Sequence, residues 1–263
     1  MSQLELNAIQ QHFSRIADKY SQLRTTDEGP IAFIAKELRE QPYVETADVG
    51  CGCGRYSSLL YRYMGSKLHL SCVDVTHSML KALYRLFRAH NIDNFAAINA
   101  AAENLPFCSG TLDCVLSFNA VHHFDLLEFL QESARVLRDR GYLFIYTRLR
   151  EQNCTNIWGW HFPQFCFKET RLHSLNTFIQ TVESVPHLQL QSIEHFEYER
   201  FSTLEQLVER ARAHHYSTFS LYSAQELEKF IAGFRRNIAR SYKDVNQLKW
   251  LDEYTLFVIR RDT

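Results

Sequence analysis

The chain has no excess of charge of either sign. Its 29 Lys and Arg residues face 30 Asp and Glu residues, giving a formal net charge of -1. A broadly basic nucleic-acid surface is therefore not indicated. No apolar stretch approaches the roughly 20 residues that a membrane-spanning helix needs. The N-terminus lacks the basic start and apolar run of a secretory leader, so a cytoplasmic location is the expectation. The seven cysteines show no repeated Cys-x-x-Cys spacing. They read as reduced core or pocket residues, not as a disulfide framework, and Cys51 with Cys53 alone makes a poor zinc set. There is no internal repeat or low-complexity tract, and no Gly-Lys-Ser/Thr follows a glycine-rich turn, which speaks against a phosphate-holding loop.

What is present is a composition for burial. Of 263 residues, 46% are hydrophobic and 22% charged, enough for one sizeable core or for a main domain carrying a cap. The organising stretch is Val44-Glu45-Thr46-Ala47-Asp48-Val49-Gly50-Cys51-Gly52-Cys53-Gly54. A short strand pattern ends in an acid, and glycines recur at every second position. Glycine permits positive φ and close backbone approach, so such a turn between strand and helix suggests a nucleotide pocket. A tight turn without a ligand is the bland alternative. Strand patterns follow at 69–73, 95–98, 112–118 and 142–147, separated by helical spacing after Gly54, around Met79–Phe87 and over 126–137. Strand alternating with helix predicts a mostly parallel sheet with helices on its faces. Ligands of such sheets lie beyond the carboxyl ends of the strands, so the loops after residues 48, 73, 98 and 118 are the expected functional side.

The ordered set Asp48–Gly54, Asp74 at the end of the second strand, Ala102-Glu103-Asn104-Leu105-Pro106-Phe107, Asp113–Phe118 and Arg135–Leu143 resembles the class I S-adenosylmethionine-dependent methyltransferases. Among these it is similar to the small enzymes that include those of ubiquinone and menaquinone biosynthesis. The resemblance runs from about Phe13 to Arg148. It implies a Rossmann-like sandwich with a seven-stranded, mostly parallel sheet, whose last two strands, one antiparallel, fall near 190–198 and 253–259. Residues 1–43 are then an N-terminal helical segment that helps close the pocket, 44–148 the S-adenosylmethionine-binding core, and 149–263 a substrate cap together with the completion of the sheet.

The resemblance also implies roles. Asp48 lies near the amino group of the donor, Gly50, Gly52 and Gly54 let the backbone approach it, and Asp74 takes the ribose hydroxyls. Val75 covers an adenine face, with Ala102 and Glu103 beside the base and Phe118 and Asn119 beside the methionine portion. Ala101 stands where relatives often carry an aspartate that accepts from the adenine amine. Tyr20, within a helical pattern formed by Ile9, Phe13, Ile16 and Ala17, is a pocket candidate. His123, or else His122, is the candidate general base for an acceptor that must lose a proton. Trp158, Trp160, His161 and Phe162 are candidates for the walls of an acceptor chamber, with Arg148 for an acidic group on the acceptor; for each ring, core packing is the competing reading.

The activity implied is methyl transfer to an oxygen or carbon nucleophile of a small, mainly apolar or aromatic metabolite, without a metal. A transfer RNA methyltransferase shares the whole cofactor set and is the alternative, and a non-catalytic S-adenosylmethionine-binding protein is the third. A nicotinamide dehydrogenase fits less well, because the glycines have the wrong spacing.

Overall fold

A computed structural model of the chain describes residues 13–14 and 24–262. Tyr20 and most of the N-terminal helical pattern lie outside the described residues. By packing, the chain divides into two compact units that are not consecutive segments. The first comprises the described residues up to Thr147 with Asn176–Glu194 and Thr255 onward; the second comprises Arg148–Leu175 and His195–Tyr254.

In the first unit, α1 (Gly29–Glu37) precedes β1 (Val44–Val49), α2 (Arg55–Met64), β2 (Leu68–Val73), α3 (His77–Ala89), β3 (Phe95–Ile98), β4 (Leu112–Phe118), α4 (Leu126–Val136) and β5 (Leu137–Thr147). The sheet is completed by β6 (Leu188–Ser202) and β7 (Leu248–Arg261), giving the order β3-β2-β1-β4-β5-β7-β6. β1 pairs in parallel with β2 and β4, β2 with β3, and β4 with β5; β7 is antiparallel to β5. The central strands are apolar on both faces because both faces are covered. Ala47, Leu70, Cys72, Cys114, Val115, Leu116 and Phe144 are all fully buried. The strand order reverses at β1, where β2 lies on one side and β4 on the other. That reversal opens a crevice at the strand ends.

The predicted start of β5 at Tyr142 is corrected to Leu137. The register slips between Leu112 and Cys114, which face Leu137 and Tyr142. The slip takes up residues 138–141 as an irregularity within one strand instead of a separating turn. Arg140 adopts φ 62° there, and a Cβ on Gly141 would stand 2.9 Å from the Arg138 carbonyl oxygen.

The second unit is built from α5 (Arg150–Thr155), α6 (Ile157–His161), α7 (Phe165–Lys168), α9 (Leu204–Arg212) and α10 (Ala224–Ser241) with the outer parts of β6 and β7; α8 (Leu175–Ser184) belongs mainly to the first unit. Its core gathers Trp158, Phe162, Phe165, Leu207, Phe219 and Phe234. The α9 and α10 helices each open with a capping box, Thr203 with Gln206 and Ser223 with Glu226. Cys154 and Cys166 form a disulfide, with their Cα atoms 5.1 Å apart. The reading of the cysteines as mainly reduced is corrected for this pair: turns between α5 and α7 bring together two residues that the sequence separates by 12. Among the described residues no helix is long and apolar enough to cross a membrane, and no group of three or more His, Cys, Asp or Glu side chains could hold a metal.

Candidate functional site

β1 ends in Asp48-Val49, and the chain then has to turn sharply into α2. Gly50, Gly52 and Gly54 take φ of 72°, 56° and 78°, a region that costs other residues steric strain. Space is also short. A Cβ on Gly50 would stand 2.5 Å from the Ala120 Cβ and 2.7 Å from Phe124, and one on Gly54 would stand 2.7 Å from Phe87. The turn is fixed to the next strand, since the N–H groups of Gly50 and Cys51 donate to the Val73 carbonyl at 2.8 and 3.1 Å.

Beyond this turn lies a cleft that encloses about 920 Å³ of empty space, open solvent included. Asp48, Gly50, Gly52, Asp74, Val75, Ala102, Glu103, Phe118, Asn119 and His123 all line it. Topology brings them together: the ends of β4, β1, β2 and β3 stand side by side in that order. Gly54 is placed one step away, as the N-cap of α2.

Asp48 is 1% exposed. Its Oδ2 accepts from the Ser57 hydroxyl, while its Oδ1 is buried with no hydrogen-bond partner among the described residues. Burial pushes its carboxyl up to about 7, with a smaller push from Asp74 and an opposing pull from Ser57. A buried carboxylate oxygen without a donor, on a residue that lines the cleft, suits a cationic or amine-bearing ligand. Asp74 is oriented by backbone: its Oδ2 accepts from the Gly52 N–H at 2.9 Å and its Oδ1 from the Thr76 N–H at 2.7 Å. Burial raises its carboxyl as well, against these two hydrogen bonds and a further one from the Thr76 side chain. The carboxylate keeps acceptor capacity for a hydroxyl donor in the cleft.

The loop after β3 is held at both ends. The Asn99 amide donates to the Asp74 carbonyl at 2.9 Å. Glu103 Oε1 accepts from the backbone N–H of Asp125, the N-cap of α4, at 2.8 Å. Further along, Arg135 donates to the carbonyls of Phe107 and Leu105 at 2.8 and 3.0 Å, and its partner Glu132 accepts from the Leu105 N–H at 2.8 Å. These two residues lie on α4 at helical spacing, where the sequence signals only an ion pair; their grip on the Leu105–Phe107 loop was not legible.

At the β4 end, Asn119 takes φ 54° and its N–H donates to the Tyr146 carbonyl at 2.7 Å. Phe118 stacks on Tyr56, centroids 4.6 Å apart with 9° between the rings. Tyr56, Phe124 and Phe13 are wall residues that motif reading did not assign. His123 lies in a short helical turn, its ring 4.0 Å from that of His122 and edge-on to Phe13 at 5.3 Å. His123 lines the cleft and His122 is not among its walls.

The remaining candidates belong to the second unit. Trp158 and Phe162 are each 2% exposed in its core; Trp158 stacks on Phe234 with centroids 5.1 Å apart. Their expected place on an open chamber wall is corrected to core packing, because α6 turns them inward against α10. Trp160, in contrast, is 69% exposed. His161 is half-buried, edge-on to Tyr242, and burial lowers the pKa of its imidazole. Arg148 is buried, pairs with Asp252 at 3.0 Å, donates to the Tyr254 hydroxyl at 2.8 Å and lies over the Tyr254 ring. Its expected role toward an acidic acceptor is corrected to an internal ion pair, since a buried guanidinium must find its anion within the protein.

Residues 47–145 match a family model described as a methyltransferase domain. Over 161 residues, 59% of this chain, the sequence is 31% identical to the tRNA (carboxymethyluridine(34)-5-O)-methyltransferase ALKBH8 of Mus musculus, 22% of which is covered. Over 144 residues, 52% of this chain, it is 36% identical to phthiotriol/phenolphthiotriol dimycocerosates methyltransferase 1 of Mycobacterium ulcerans, 51% of which is covered. The chain thus spans between about a fifth and about a half of the length of these relatives. The solved structure of the YcgJ protein of Bacillus subtilis superposes with a TM-score of 0.66 over 90% of this chain and 100% of that one, at 16% identity. The fold is that of the class I S-adenosylmethionine-dependent methyltransferases.

Proposed function

We propose that the protein binds S-adenosylmethionine in the cleft of the first unit and transfers its methyl group to an oxygen or carbon nucleophile of a small, mainly apolar or aromatic metabolite. The observation that carries this reading is the buried, unpartnered Oδ1 of Asp48 beside a glycine turn whose backbone is open to a ligand. When bound, the donor supplies an already activated methyl group on a cationic sulfur. Asp48 would accept from the amine of its tail, Gly50 and Gly52 would lie against the tail and sugar, and Asp74 would accept from the ribose hydroxyls. The glycine turn has no phosphate-holding lysine, which agrees with a ligand that has no phosphate.

Phe13, Tyr56, Phe118 and Phe124 give the cleft apolar walls. Such walls exclude water and hold a flat acceptor in line with the methyl group, and alignment with desolvation supplies much of the rate. His123, on the wall of the cleft, would take a proton from a hydroxyl or acidic carbon. Tyr20 keeps its proposed pocket role by resemblance alone. The near-neutral net charge supports a metabolite over a nucleic acid.

The test is calorimetric. S-adenosylhomocysteine should bind saturably, and Asp48→Ala and Asp74→Ala should weaken that binding strongly. Absence of binding by the folded wild-type protein would end the reading. With the acceptor in hand, His123→Gln should slow the single-turnover methyl-transfer step while donor affinity is retained; an unchanged rate and pH profile would leave alignment as the whole mechanism.

The second reading, methylation of transfer RNA, is favoured by the named activity of the mouse relative. Offering labelled donor with either total tRNA or a metabolite extract separates the two, and label in tRNA alone would replace the metabolite reading.

A further inference from the structure

Charge is spread unevenly along this near-neutral chain. Residues 55–92 hold six Lys and Arg residues and a single acid, Asp74, which lines the cleft. Neither α2 nor α3 contains an acid. The crossovers from β1 to β2 and from β2 to β3 run in the same direction along the sheet, so α2 and α3 lie side by side on one of its faces. On α3, Lys81, Arg85 and Arg88 recur at helical spacing and are exposed together with Tyr84. On α2, Arg62 is exposed, and Tyr63 beside it is 45% exposed. Arg62, Lys81 and Arg88 enter no ion pair among the described residues. Arg55, Ser58 and Arg62 of α2 and His90 just past α3 line a surface groove. Arg55 is also a wall of the cleft, so the groove adjoins it. Two acids stand at the edges of this face. Glu28, also on the groove, accepts from the Tyr63 hydroxyl at 2.6 Å, and Asp93 follows α3.

We infer that the outer face of α2 and α3 docks the chain on an anionic phospholipid surface. Net charge averages over a molecule, whereas a surface of headgroup phosphates meets only the face turned toward it. Each basic side chain near such a surface adds attraction, and several together give binding that is reversible and weakened by salt. Half-exposed tyrosines suit the headgroup region, where the ring is covered and the hydroxyl stays wet. The choice of a lipid surface over a nucleic acid rests on the acceptor reading above. A small, mainly apolar acceptor partitions into a bilayer, and an enzyme held at the headgroups meets it there.

The experiment is co-sedimentation of the full chain with vesicles of phosphatidylcholine alone and with vesicles in which about a third of the lipid is phosphatidylglycerol. The wild-type chain should bind the anionic vesicles at least about tenfold more tightly, and roughly 0.5 M salt should abolish the difference. Arg62→Gln/Lys81→Gln/Arg88→Gln should lose at least about tenfold on anionic vesicles. Lys229→Gln/Arg236→Gln/Arg240→Gln, which removes the same charge from α10, should bind them as the wild type does. All three chains should melt alike and bind S-adenosylhomocysteine equally. No preference for anionic vesicles would overturn the inference, as would equal losses in the two variants. Total tRNA bound more tightly than the vesicles, and released by the α2–α3 substitutions, would give the face to nucleic acid instead. Vesicle binding by a chain that fails to bind S-adenosylhomocysteine would overturn the donor reading and leave the docking face standing.

Discussion

Asp48 shows how one buried carboxyl couples proton binding to stability. Its carboxyl is pushed up to about 7 by burial, against about 3.9 in an unfolded chain. The folded state therefore holds a proton that the unfolded state has released. Between about pH 4 and pH 7 this group makes stability fall as pH rises, and above 7 the full cost remains. Replacement by Asn should flatten that part of the stability curve, measured by denaturant titration at pH 5 and pH 8. Ligand binding has the opposite slope. An ammonium group needs the ionised carboxylate, so S-adenosylhomocysteine should bind about tenfold more weakly at pH 6 than at pH 8, with proton uptake or release read by calorimetry in buffers of different ionisation enthalpy. Asp48→Asn should remove the dependence along with most of the affinity. An affinity flat across this range in the wild-type chain would detach Asp48 from the ligand amine.

At the scale of elements, the loops of the cleft are shaped by partners far away in sequence. Arg135 on α4 holds two carbonyls of the Leu105–Phe107 loop through one guanidinium. Removing it leaves those two carbonyls without their donor and Glu132 with only the Leu105 N–H. Arg135→Ala should cost about 1–3 kcal/mol of stability and speed amide exchange across residues 103–108, measured by mass spectrometry; exchange unchanged in that segment would show that the loop holds itself. In the second unit the Cys154–Cys166 bridge closes a short loop over α5, α6 and α7. A bridge of that span restricts the unfolded chain by about 3 kcal/mol in the chain-entropy model. The oxidised wild-type chain should therefore unfold at higher denaturant than Cys154→Ser/Cys166→Ser, and reduction should shift the wild-type midpoint to that of the double variant. Equal midpoints before reduction would mean that the aromatic packing alone carries the segment.

At the scale of the whole molecule, the chain builds two cores from interleaved segments, and the walls of the cleft belong to the first. Trp158 is the largest fully buried side chain and packs on Phe234, Phe219 and Phe162 in the second unit. Trp158→Ala should cost about 3–5 kcal/mol by leaving a cavity, seen as a loss in thermal unfolding. Because none of its neighbours is a wall of the cleft, the affinity for S-adenosylhomocysteine at low temperature should stay near the wild-type value. A parallel loss of affinity would give the residue a role beyond packing.

The local arrangement of β1, the glycine turn and α2 was determined by the sequence itself: a short strand pattern ending in an acid, followed by glycines at the positions where φ is positive, needs no distant partner to be read. The alternation of strand and helix up to Thr147 was legible for the same reason, since hydrophobic period is a local property. Partnership was not. Glu103 could be placed beside the cleft by its motif, but only tertiary structure gives its carboxylate to the N–H of Asp125. Arg148 follows a strand end on the expected functional side, yet Asp252 and Tyr254, more than a hundred residues later, claim its charge. The cluster from Trp158 to Phe162 is equally apolar whether it lines a chamber or fills a core. What decides between them is the helix that covers it, and α10 lies more than sixty residues further along the chain. Sequence specifies what each segment can bury; only the folded chain decides against what it is buried.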